Sequence, residues 1–129
     1  MTTLNATFEV TSWDEQPFDE QAGLAKLTRA SVGKSYSGDV DGSSATEWLM
    51  AYSPDSRASF VGLERITGSL GGNRGSLVLR HVGNYADGVA KAELAVVSGT
   101  DQLADVTGHG TMVADPGGRL SLTIEVGSA

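Results

Sequence analysis

The dipeptide Asp87-Gly88 lies between two runs of alternating residue character, and it constrains the chain more than any other feature. Both positions tolerate the positive φ of a two-residue type I′ turn, so the flanking runs are predicted to pair as an antiparallel hairpin with Ala86 opposite Val89. Counting outward places Tyr85, Gly83, His81 and Leu79 on one face with Ala90, Ala92, Leu94 and Val96. The other face takes Asn84, Val82 and Arg80 with Lys91, Glu93 and Ala95. Charges gather on this second face, so the first is predicted to be buried.

Three further turns extend the frame. Gly72-Asn73, taken as a two-residue turn, pairs Ile66 with Leu79 and Glu64 with His81 and buries the same face. Pro116-Gly117 suits the central positions of a type II turn, which pairs Val113 with Leu120 and His109 with Ile124 and points His109 inward. The turn from Ser53 to Ala58 leaves two registers open: one sets Glu47 opposite Glu64, and the other, displaced by one residue, sends Trp48, Met50 and Tyr52 inward. Strands are predicted over 4–13, 25–37, 44–53, 58–70, 74–86, 89–98, 105–114 and 118–127. The acidic segment from Asp14 to Leu24, with Pro17 and Gly23, reads as a long loop covering one mouth. One short helical turn is predicted at Thr100-Asp101-Gln102-Leu103-Ala104, where Thr and Asp suit a cap. Eight antiparallel strands with even turn spacing predict an all-β chain closed into a barrel, a single domain over residues 1–129, with an open two-sheet sandwich as the alternative.

Composition narrows the chemistry. The chain has no cysteine, which excludes disulfides, thiolate zinc sites, iron–sulfur clusters and cysteine nucleophiles. A net charge of −7 repels phosphate backbones and anionic lipid, so neither nucleic acid nor membrane is an expected partner. No stretch approaches the roughly 18 apolar residues of a membrane span, and the first residues show no basic segment leading into an apolar run; the expected location is cytoplasmic.

The candidate chemistry is a proton-transfer pair, Glu64 and His81, inside an interior lined by Phe60, Ile66, Leu77, Leu79, Tyr85, Leu94 and Val96. Burial raises a carboxyl pKa while a neighbouring imidazolium lowers it, so such a pair can sit near neutrality as general acid and base. Gly62 and Gly83 beside it are expected to leave volume for a ligand. Glu47, Trp48, Tyr52 and His109 complete the expected ligand-binding set with Phe60, Leu79 and Tyr85. The competing reading is structural: Glu64 and His81 satisfy each other, and the glycines let the strands coil. A metal site built from His81, His109 and Glu64 lacks any spacing motif, and no metal or cofactor is expected. Gly33-Lys34-Ser35 resembles the end of a phosphate loop, but Thr28 stands where the earlier glycine is required. Asp14, Glu15, Asp19 and Glu20 read as a solvated acidic face. The outward positions Val61, Leu63, Val78, Val82 and Val97 are apolar enough for a subunit interface.

Specific segments carry a family resemblance. They are Ala6-Thr7-Phe8-Glu9-Val10, Trp13-Asp14-Glu15, Leu27-Thr28-Arg29-Ala30-Ser31-Val32, Trp48-Leu49-Met50-Ala51-Tyr52, Phe60-Val61-Gly62-Leu63-Glu64-Arg65, Gly68-Ser69-Leu70, Gly75-Ser76-Leu77-Val78-Leu79 and His81. Together they resemble a family of small bacterial proteins of unknown function classed with the allene oxide cyclase-like barrels. The run from Ser98 to Gly108 is also similar to a glycine-threonine turn shared with allene oxide cyclases and plant dirigent proteins. The resemblance implies an eight-stranded barrel with a cavity, a homodimer or homotrimer, and relatives that guide cyclisation or coupling of reactive apolar substrates. It implies no catalytic residue, so Glu64 and His81 rest on the register alone. The expected function is binding of a small, mostly hydrophobic molecule, with isomerisation or cyclisation as the reaction if there is one; a carrier barrel and a filled, oligomerising barrel are the alternatives.

Overall fold

The computed structural model describes residues 1–115 and 117–126. Eight strands follow in chain order: β1 (Thr2–Asp19), β2 (Lys26–Gly38), β3 (Val40–Tyr52), β4 (Ala58–Leu70), β5 (Asn73–Ala86), β6 (Val89–Gly99), β7 (Thr107–Ala114) and β8 (Gly118–Glu125). Each pairs antiparallel with its neighbours, and β1 also pairs with β8, so the sheet closes into a barrel. Closure gives every strand two partners along at least part of its length and sets aside the two-sheet sandwich. A 3-10 turn, Asp101–Leu103, follows β6. Thr100 does not cap it; its Oγ1 accepts the Ser76 N–H at 3.0 Å and ties the turn to β5. No helix among the described residues is long and apolar enough to cross a membrane.

The register follows the turns, and small differences in turn length decide what faces the interior. Asp87 and Gly88 take φ of 55° and 79°, and the β5–β6 pairing runs as predicted from Ala86 opposite Val89 to Leu79 opposite Val96. Between β4 and β5 the turn is Gly71-Gly72, with φ of 59° and 85°, rather than Gly72-Asn73. The pairing therefore slips by two residues: Gly62 lies opposite His81, and Glu64 opposite Leu79. A slip of two keeps every side chain on its face, because the side-chain period of a strand is two.

A slip of one does not. Ala114 pairs with Gly118, so three residues join β7 to β8 rather than two, with Pro116 outside the described residues. Met112 turns inward in consequence and His109 turns outward into solvent, contrary to the sequence expectation. Between β3 and β4, Tyr52 pairs with Ala58, which selects the second of the two registers: Trp48 faces Gly62, Met50 faces Phe60, and Glu47 points outward.

The acidic segment after Ser12 is not a loop. It continues β1 to Asp19 and pairs with β2, from Trp13 opposite Val32 to Asp19 opposite Leu27. A bulge between Val10 and Ser12 flips the alternation, so that Trp13 and Glu15 share the inward row begun by Leu4, Ala6 and Phe8. β8 pairs only with Thr2–Phe8, so the outer half of β1 has one free edge, where Pro17 is tolerated.

The interior is packed by side chains. Phe8, Tyr36, Trp48, Phe60, Ile66, Leu77, Leu79, Leu94, Met112 and Leu122 are all buried. The volume expected beside Gly62 and Gly83 is taken by rings: a Cβ on Gly62 would stand 2.6 Å from Trp48 Cδ1 and against the Glu47 carbonyl, and one on Gly83 2.6 Å from Phe60 Cζ and against the Lys91 carbonyl. These glycines admit the aromatic core instead of opening a niche. On the outside, Val61, Leu63, Val82 and Val97 are about half exposed, as the alternation requires. Gly62→Ala should lower the unfolding free energy by about 1–3 kcal/mol, read as a lower urea midpoint; an unchanged midpoint would show that the niche is roomier than its contacts indicate.

Candidate functional site

Five polar side chains meet in the middle of this core, although apolar packing surrounds them. β4 supplies Glu64, β5 His81, β2 Lys34 and Tyr36, and β3 Ser44. Glu64 and His81 are diagonal neighbours on adjacent strands, within reach for long side chains. His81 Nε2 lies 2.8 Å from Glu64 Oε1. Glu64 Oε2 accepts the Tyr36 hydroxyl at 2.6 Å and the Ser44 hydroxyl at 2.6 Å, and Lys34 Nζ stands 3.5 Å from the same oxygen. Glu64 and His81 have no exposed surface, and Lys34 is 1% exposed.

The ionisation of the cluster follows from these contacts. Burial alone would raise the Glu64 pKa, but the His81 hydrogen bond, the Lys34 charge and the Ser44 hydroxyl outweigh it and hold the carboxyl at about 2. Glu64 is therefore a carboxylate and a poor base, not the near-neutral acid–base partner expected from the sequence. Burial pushes the His81 pKa down, as does Lys34, with Glu64 opposing. Burial also lowers Lys34, against the pull of Glu64. Burial and then the Glu64 charge push the Tyr36 phenol far up. One carboxylate and one ammonium with a neutral imidazole leave the cluster with no net charge, the state a dry interior tolerates.

The tautomer follows as well. An ionised carboxylate only accepts, so His81 Nε2 donates to Glu64, and the neutral ring carries its free lone pair on Nδ1. Among the described residues, three buried side-chain atoms have no hydrogen-bond partner: His81 Nδ1, Trp48 Nε1 and Thr46 Oγ1. They sit on adjoining rows, since Trp48 and His81 both lie opposite Gly62 and Thr46 lies opposite Glu64. One accepts, one donates and one does either.

A second polar group gathers around Glu15 at the rim of the barrel. Glu15 Oε2 accepts the Thr28 and Tyr52 hydroxyls, each at 2.7 Å, and its Oε1 accepts Trp13 Nε1–H at 3.2 Å. Burial raises the Glu15 pKa, but those hydrogen bonds prevail and keep it below the usual carboxylate value. Trp13, half exposed, packs edge-on against Trp48 with ring centres 5.8 Å apart, and Trp48 in turn lies 5.8 Å from the His81 ring.

Of the residues singled out from the sequence, Glu64, His81, Trp48, Phe60 and Leu79 meet inside, and Tyr52 and Tyr85 are half-buried. Glu47 is on the outer face, where Arg29 Nε donates to it at 3.1 Å. His109 is exposed on β7, which separates it from His81 and Glu64 and leaves the three-residue metal site without its third ligand. Sequence reasoning passed over Lys34, Tyr36, Ser44 and Glu15. The signal for the first two was the period of β2, whose buried row is Thr28, Ala30, Val32, Lys34 and Tyr36.

A family model described as "Protein of unknown function (DUF3224)" matches residues 4–126. The chain belongs to this family. A crystal structure of a DUF3224 protein of unknown function from Shewanella oneidensis MR-1 is similar to it, with 25% sequence identity over 99% of each chain and a TM-score of 0.81. No curated protein matches the chain. The DUF3224 barrel thus has a shared fold, and its chemistry must be read from its own side chains.

Glu64→Gln removes the only charge facing Lys34 in the cluster and should cost about 3–5 kcal/mol of stability. The unfolded chain binds more protons than the folded one wherever His81 and Glu64 titrate below their ordinary values of 6.5 and 4.5. Stability should therefore fall as pH drops below about 6.5, and more steeply from about 4.5 toward 2. Urea titrations across that range should show both limbs in the wild type and a shallower lower one in Glu64→Gln, where Glu15 and the other carboxylates held below their ordinary values still contribute; identical acid limbs would contradict an ionised Glu64.

Proposed function

We propose that this barrel acts on a small, mostly apolar molecule bearing a carbonyl or similar polar group, and that His81 moves a proton on it in an isomerisation-type reaction. One observation carries this reading: His81 is fixed through Nε2 by an ionised carboxylate while its buried Nδ1 has no partner. A carboxylate that orients an imidazole and leaves the other nitrogen free is the arrangement by which histidine serves as a general base. Glu64 is then a positioning residue, and His81 the catalytic one. The neutral imidazole takes a proton from a carbon beside the polar group and returns it at another carbon, so no net change of protonation is left behind. Trp48 Nε1–H and Thr46 Oγ1 supply unpaired groups able to hold the polar end. A buried ion pair is often no more stable than apolar residues of similar volume, which favours a role for this cluster beyond packing.

In this reading a ligand would enter at the Trp13 and Tyr52 rim, where one half-exposed ring covers Trp48. The packed interior favours a second reading, a filled barrel whose cluster is structural, because Trp48 and Phe60 occupy the space beside both glycines. The two readings diverge in deuterium oxide. A panel of small ketones and unsaturated ketones followed by proton NMR should show exchange at the carbon beside the carbonyl above the buffer rate. His81→Gln should slow it by about 10²–10⁴-fold. Equal exchange in the wild type, His81→Gln and buffer would leave the filled barrel.

A further inference from the structure

Lys34 is the buried group that this reading does not use. Among the described residues, its Nζ has as polar partners Glu64 Oε2, at 3.5 Å, and the Met112 thioether, at 3.7 Å. An ammonium offers three donors, and a buried one ordinarily finds oxygen acceptors for them. Here two aromatic faces stand in their place: the Phe8 ring centre is 4.6 Å from Nζ and that of Trp48 5.1 Å. Burial lowers the cost of this nitrogen's losing a proton, against the pull of Glu64. The other two lysines, Lys26 and Lys91, are exposed.

We infer that Lys34 is a carbonyl-capturing amine, which condenses with a small aliphatic aldehyde or ketone to form a protonated imine paired with Glu64. Glu64 decides among the chemistries open to a buried amine. Acylation would remove the positive charge and leave the carboxylate unpaired in the core, whereas a protonated imine retains it at the same atom. Lys34 gives up one proton, its nitrogen lone pair attacks the carbonyl carbon, and the carbonyl π pair moves to oxygen. The oxygen collects two protons and departs as water as the C=N bond forms. Ammonium plus carbonyl thus becomes protonated imine plus water, with charge and atoms conserved and no oxidant required. The Phe8 and Trp48 faces favour a delocalised cation and an alkyl chain together. Glu64 bridges the two sides of the site, with Lys34 on Oε2 and His81 on Oε1. The imine would acidify the adjacent carbon, from which His81 draws its proton. This inference rests on the interior admitting a small apolar molecule, as proposed above, but not on His81 being the base.

The test is reductive trapping with limiting butanal and sodium cyanoborohydride at about pH 6.5, where ordinary lysine amines are protonated. Cyanoborohydride delivers hydride to the imine carbon and fixes a butyl group on the nitrogen, which peptide mass spectrometry then locates. The expected result is one butyl group per chain on Lys34, formed at least about tenfold faster than on Lys26, Lys91 or the N-terminus. Lys34→Arg, which keeps the charge beside Glu64, should lose this fast labelling. Saturation-transfer NMR with butanal and unreduced protein separates the failures. Butanal bound, with labelling confined to the exposed amines, overturns the imine and spares the small-molecule reading; no bound butanal and no Lys34 label overturns both. Fast Lys34 labelling in His81→Gln without deuterium exchange in the wild type sustains the imine and removes His81 from the chemistry.

Discussion

An ionised carboxylate in the middle of a closed apolar barrel is the constraint around which the site is built. Isolated, such a charge costs far more than a domain of this size can spare. Glu64 persists because three neighbouring strands bring four partners to it: two hydroxyls, an imidazole and an ammonium. Each consequence follows from that charge. Lys34 is retained inside as its counter-ion, Tyr36 is kept a neutral phenol, and His81 donates through Nε2 and is left with a bare Nδ1. The barrel provides the precision, since these side chains come from strands whose relative register is fixed on both edges.

Much of this was legible in the residues, because strand alternation is robust to even errors. The Asp87-Gly88 turn fixed one hairpin, and the neighbouring hairpin was misread by two residues without moving Glu64 or His81 off the inward face. Odd errors were costly. One extra residue between β7 and β8 exchanged His109 for Met112, and Glu47 was read inward in one of two registers that differ by a single residue. Trp13 and Glu15 were hidden by a bulge in β1, whose change of parity has no simple sequence mark, and by an acidic composition that suggests a loop. Lys34 was open to view: alternation from Thr28 to Tyr36 puts a lysine on a buried row, but the glycine and serine beside it drew attention to a phosphate loop that is not there. A charge that falls on the apolar parity of a strand is the signal to seek its partner.

The cluster and the Glu15 rim form one continuous column of contacts. Glu15 fastens Trp13, Thr28 and Tyr52 at the rim, Trp13 leans on Trp48, and Trp48 touches both the His81 ring and the Lys34 ammonium. A ligand moving inward would displace rings before it met a charge, so apolar character would govern admission and the polar group would govern orientation. That ordering would suit the proposed substrate, a small polar head on a hydrocarbon frame.

The central claim is that Glu64 is ionised and holds His81 as a neutral ring with Nδ1 free. Nitrogen-15 NMR of the protein labelled in its two histidines measures this directly, with His81→Gln assigning the signals. At neutral pH, the account predicts a protonated Nε2 and a bare Nδ1 for His81, with its protonation delayed to below the ordinary histidine value of 6.5. An imidazolium at neutral pH, or the tautomer with the proton on Nδ1, would contradict it.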